Sequence, residues 1–157
     1  MSHLPEKIYK EITNLCSLGD GLVEEQKYSQ ALNKYFEALD LLPQPETEWE
    51  ASTWILTAIG DTNFIMKNYE VGRDNLASAM HCPGAIGNPF IHMRLGQCRY
   101  ELGEYEKAAD EFARAFLLEG EEIFKAEDKK YLNFVKSKLS EPNGGWDEKK
   151  KSWWKFW

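Results

Sequence analysis

LGQCRYELGEYEKAADEFARAF, residues 95–116, decides the fold. With Ile91 just ahead of it, Leu95, Cys98 and Leu102 fall at three- and four-residue spacing, the stripe of one helix face. Gly103 and Glu104 make a turn. From Tyr105 onward, Ala108, Ala109, Phe112, Ala115 and Phe116 mark the face of a second helix. The small residues have a physical task. Gly96 and Ala108 would let two antiparallel helices approach closely, while Tyr105, Phe112 and Ala115 would fill the junction with the next element.

Five positions of this stretch recur upstream. Gly96, Tyr105, Ala108, Phe112 and Ala115 match Gly60, Tyr69, Gly72, Leu76 and Ala79, and these match Gly19, Tyr28, Ala31, Tyr35 and Ala38. The shift is 41 residues between the first two copies and 36 between the second and third, at every position. Chance would not hold register five times. Internal repetition at this period marks an all-α array of helix pairs, an architecture that binds other macromolecules far more often than it catalyses.

These residues resemble the tetratricopeptide repeat. Leu95-Gly96, Gly103-Glu104-Tyr105, Ala108, Phe112 and Ala115 match its pattern, as do Leu18-Gly19, Tyr28, Ala31, Tyr35, Ala38 and Pro43. The middle copy keeps Ile59-Gly60, Tyr69 and Ala79 but replaces the alanine and the aromatic with Gly72 and Leu76. The resemblance implies an α-solenoid of three helix pairs, about 12–45, 53–86 and 89–122, within one domain over 1–139. The extra residues before the second copy include PETEWEA. Seven residues are two helical turns, so the third helix is expected to start early, near Pro45. HCPGAIGNP, 81–89, reads as a loop. Residues 121–139 read as one capping helix, and 140–157 as a linker followed by an aromatic, basic tail.

The formal net charge is −7, and Lys149, Lys150, Lys151 and Lys155 lie in the last nine residues without a single acid. A general nucleic-acid binder needs a basic face, so that class is disfavoured. Three cysteines, Cys16, Cys82 and Cys98, without CxxC spacing argue for a reducing compartment. MSHLPEKIYKEI carries no basic-then-apolar leader, and the expected location is cytoplasmic. His81, Cys82, His92 and Cys98 lack structural-zinc spacing. No nucleotide-binding, metalloprotease or nucleophile-elbow motif occurs, so neither cofactor, metal nor enzymatic activity is expected.

In the family that the chain resembles, the first helix of each pair lines a concave groove. Carried over, the groove would present Asp20, then Trp54, Asp61 and Phe64, then Phe90, Met93, Arg94, Gln97 and Tyr100. Arg94 would pair with Asp61 or with an acid of the ligand. The clamp by which some members grip a chaperone's C-terminal carboxylate would fall on Cys16, Asp20, Ala58, Phe90 and Arg94. Only Arg94 suits it, and Asp20 would repel a carboxylate. The expected ligand is an apolar or basic protein segment. In the tail, Trp146, Trp153, Trp154, Phe156 and Trp157 would fold back on the acidic body, engage a partner, or touch a membrane surface. WEASTWILTAIGD and HCPGAIGNPF resemble small stand-alone bacterial tetratricopeptide proteins, some of which lie beside polymorphic or contact-dependent toxins. Three roles follow: an adaptor or scaffold, an immunity protein that sequesters a basic toxin, and a peripheral membrane adaptor held by the tail.

Overall fold

The computed structural model describes residues 3–139. Among them are seven α-helices, two short 3-10 turns and no strand. The chain divides into two compact units, Met1–Ala85 and Ile86–Trp157.

The first unit holds two helical hairpins. Helix α1 (Glu6–Glu24) pairs with α2 (Tyr28–Asp40), and α3 (Glu50–Ile65) with α4 (Tyr69–Ala79). Ile12, Ala31, Tyr35 and Ala38 are buried together with Ala51, Ile55 and Ile59, so α3 closes the core of the first hairpin as well as its own. That double duty explains a helix buried nearly all round. Its polar members are satisfied locally: the Thr62 hydroxyl donates to the Ala58 carbonyl at 2.7 Å, and the Asn63 amide donates to that of Ile59 at 2.8 Å. Thr53 donates to the Pro83 carbonyl at 2.7 Å, tying the chain after α4 to α3.

The early start of α3 is realised only in part. Glu46–Glu48 forms a separate 3-10 turn, and Trp49 is extended (φ −103°, ψ 132°), so the α-helix begins at Glu50 rather than at Pro45. The Ser52 hydroxyl and the Trp49 indole N–H hold the break in place, donating to the carbonyls of Glu46 and Pro43.

The second unit pairs α5 (Pro89–Glu101) with α6 (Tyr105–Glu119). Asn88 caps α5, its side chain accepting from the Phe90 N–H, with Pro89 at the first helical position. The expected single helix over 121–139 is in fact two pieces. A 3-10 turn, Gly120–Phe124, opens on a glycine at φ 72°, and α7 (Lys129–Lys138) restarts behind an Asp128 cap. Phe124, Tyr131 and Val135 then close over Phe112 and Phe116. The expectations for the linker and tail, including Trp146, Trp153, Trp154, Phe156 and Trp157, lie outside the described residues.

The repeat register acquires two physical meanings. In each pair the first-helix glycine leaves room for the side chain sixteen residues on: Gly19 for Tyr35, Gly60 for Leu76, and Gly96 for Phe112. A β-carbon at Gly96 would stand 2.7 Å from the Phe112 ring. Phe112 rather than Ala108 therefore fills the space over Gly96, while the same ring also meets Phe124 and Tyr131 at 5.8 and 5.7 Å. The turns are also in register. Gln26, Lys67 and Gly103 all have positive φ (60°, 63° and 78°), and the next residue's N–H reaches back to Leu22, Asn63 and Arg99, each at 2.8 Å. This is the left-handed helix ending that satisfies the last carbonyls, here built twice without glycine.

Candidate partner-binding surface

In the first unit, Asp20 is exposed and accepts a hydrogen bond from the Tyr35 hydroxyl at 2.6 Å. Burial, with this hydrogen bond second, raises the Tyr35 phenol above its ordinary value. Burial and then the Asp20 charge push the Cys16 thiol up to about 11. Cys16 is therefore a protonated thiol at neutral pH, unsuited to nucleophilic attack.

Trp54 and Phe64 are half-buried on α3. The Phe64 ring leans on Tyr69 at 5.8 Å, which spends much of its surface inside the hairpin. Trp54 meets Tyr9 edge-on at 6.2 Å, and with Leu4, Trp49, Ala51 and Pro83 they line a cavity of about 410 Å³. Asp61 is half-buried one turn before the end of α3.

In the second unit, Phe90 is exposed and carries the Arg94 guanidinium 5.1 Å from its ring centre. Arg94 also donates to Glu127 at 2.9 Å and to the Gln97 side chain at 2.8 Å, and Gln97 in turn donates to Glu127 at 2.8 Å. Gln97 is fully buried, and Met93 lies in the core with Phe112 and Phe124. Tyr100 is half-buried among rings: Tyr105 at 5.4 Å, Tyr131 at 5.4 Å and Phe134 at 5.0 Å. Of the five positions expected on α5, Phe90 alone is exposed, with the Arg94 guanidinium over its ring. Arg94 is held by Glu127 in this unit.

His92 is buried, with Nδ1 2.6 Å from a Glu111 carboxylate oxygen and Nε2 2.7 Å from the Ile86 carbonyl. Two acceptors can both be satisfied only by the imidazolium. Burial opposes that charge, but the bonds to Glu111 and Ile86 outweigh it and raise the His92 pKa above its ordinary value. His92 is thus a brace between the loop and α6. Among the described residues, no group of three or more His, Cys, Asp or Glu side chains is placed to hold a metal ion.

Repeat reasoning misses Tyr9, Trp49 and Glu127, because all three lie outside the repeat segments 12–45, 53–86 and 89–122. The aromatic string of EWEASTW, residues 48–54, is the signal that could have drawn attention to Trp49.

The fold is that of tetratricopeptide domains. The chain is similar to the first such domain of Spaghetti (RPAP3) bound to the HSP90 peptide SRMEEVD, at 17% identity over 82% of this chain and 90% of that one, with a TM-score of 0.64. It is similar to the Arabidopsis OM64 tetratricopeptide domain, at 18% identity over 83% and 95%, TM-score 0.65. It is also similar to the Yersinia enterocolitica type III secretion chaperone SycD in complex with a peptide of the translocator YopD, at 16% identity over 80% and 89%, TM-score 0.63. No family model matches the sequence, and no curated protein matches it. No described helix is long and apolar enough to cross a membrane.

Proposed function

We propose that this chain is a non-enzymatic, cytoplasmic module that binds a protein or peptide partner through its first-helix surfaces, as an adaptor or scaffold. The observation that carries this reading is aromatic surface left open on those helices: Trp54 half-buried in the first unit and Phe90 exposed in the second. Exposed aromatics beside polar groups are the usual anchors of contact sites. Similar folds hold an HSP90 peptide and a translocator peptide, which supports a peptide ligand in general.

The partner differs in chemistry from the acidic SRMEEVD peptide. Cys16 is a neutral thiol, Asp20 is an acid, and Arg94, which alone suits a carboxylate clamp, is engaged by Glu127. An apolar or basic segment fits better. The acidic balance, 26 Asp and Glu against 19 Lys and Arg, favours one second reading: an immunity protein that captures a basic toxin domain.

Affinity capture from native lysate tests the proposal, with the full chain and Phe90→Ala as parallel baits. A partner held by the first and lost by the second is expected. A partner that ignores Phe90 would sink the first-helix assignment. Tight one-to-one capture of a single basic protein would select the inhibitor, and several weaker partners the scaffold.

A further inference from the structure

The cavity beside Trp54 carries a more specific chemistry. It opens in the first unit between the chain before α1, the first turns of α1 and the start of α3. Its volume, about 410 Å³, has room for a long side chain with its flanking backbone but not for a folded element. Three of its walls are aromatic, and the His3 imidazole stands at the cavity with the apolar Leu4, Ala51 and Pro83. Tyr9 and Trp54 stand edge to face at 80°, and Tyr9 keeps 48% of its surface exposed. Trp49 is locked, its indole N–H spent on the Pro43 carbonyl at 2.7 Å, so what it offers a ligand is ring surface and not a donor.

Glu48 and Glu50 stand at the same cavity. Both are exposed, and among the described residues neither is in an ion pair with a lysine or arginine. Aromatic faces carry the negative end of the ring quadrupole, so they attract a cation and repel an anion. The opening N–H groups of α3 would draw an anion, but Glu50 in the first turn and Glu48 just ahead of it already bring negative charge to that end of the helix. A long cationic side chain satisfies every part. Its methylene stem covers the rings, and its charged head meets the carboxylates while staying near water.

We infer that the Tyr9–Trp49–Trp54 cavity receives a lysine or arginine side chain of the partner polypeptide, with Glu48 and Glu50 selecting its charge. The inference deepens the binding-module reading and rests on it. The test uses the full chain, labelled with nitrogen-15, and four synthetic peptides, acetyl-Gly-Gly-X-Gly-Gly-amide, in which X is lysine, arginine, norleucine or glutamate. The indole signals of Trp49 and Trp54, assigned with Trp49→Phe and Trp54→Phe, report on the cavity. The lysine or arginine peptide is expected to shift both signals saturably, about tenfold more tightly than norleucine. The Glu48→Gln/Glu50→Gln double variant should stay folded and lose most of that preference.

Equal binding of norleucine would overturn the inference in favour of a merely apolar pocket. Preference for glutamate would overturn it in favour of an anion site at the start of α3. No saturable shift from any peptide at about 10 mM, a concentration that exposes even millimolar sites, would overturn it outright. If the indoles stay still while Phe90-dependent capture persists, the cation site fails and the binding module stands. If capture also fails, both readings fall.

Discussion

Helices α3 and α5 hold matching places in their hairpins, each with a glycine beneath a second-helix side chain, yet their outward residues meet different fates. On α5, Gln97 and Arg94 are absorbed by Glu127, and Tyr100 by Tyr131 and Phe134. All of those partners come from the segment after the last repeat. On α3, Trp54 keeps an open flank, and the carboxylate of Glu50 is not spent on a basic partner among the described residues. Equivalent positions in a repeat are thus not equivalent as sites. The pattern says which way a side chain faces, whereas the flanking chain decides whether that face is still available.

Removing the Tyr100 ring should give the largest contrast. It stands at the centre of three ring contacts, so Tyr100→Ala should cost about 3 kcal/mol in urea unfolding, and Trp54→Ala about 1–2 kcal/mol. Equal losses would erase the distinction between the two helices. Glu127→Ala comes next. It leaves buried Gln97 and the Arg94 head short of an acceptor, at about 2 kcal/mol, whereas Glu50→Ala should leave the unfolding midpoint in place.

His92 sharpens the comparison through pH. Its folded pKa is raised, so its contribution is complete below the unfolded value and is lost as pH rises through the folded one. Stability should fall as pH rises above the ordinary imidazole range, and Glu111→Gln should flatten that slope. A stability that climbs over this range in the parent and not in Glu111→Gln would refute the brace. The smallest effect concerns the turns. Lys67→Gly should stabilise by about 0.5–1 kcal/mol, because a side chain at positive φ is strained where Gly103 is not. A destabilised Lys67→Gly would mean that the lysine side chain itself holds the turn.

The hairpins were legible because the packing that makes them is local and repeated. Gly19, Gly60 and Gly96 announce close approach, and Tyr35, Leu76 and Phe112 fill it at a fixed offset. The matching turns were only one-third legible: Gly103 suits a left-handed residue, but Gln26 and Lys67 carry no such mark and are held there by backbone hydrogen bonds. Length and phase alone allow continuous helices at the start of α3 and over the capping region. Trp49 and Gly120 break them through side-chain and backbone geometry that periodicity does not encode. The surface was half legible for a related reason. Trp54 and Phe90 follow from the first-helix face that the family resemblance implies, while the closure of Met93, Gln97 and Tyr100 depends on Phe124, Glu127, Tyr131 and Phe134, far along the chain and outside the repeat.

The bond from the Trp49 indole to the Pro43 carbonyl has a consequence in time. An indole proton tied to a carbonyl leaves for deuterated water only when that tie opens, while an untied one leaves at once. In a freshly dissolved deuterated sample, the Trp49 signal should therefore outlast that of a free indole. It becomes a slow clock built into the wall of the cavity, and whatever settles against that wall should slow it further.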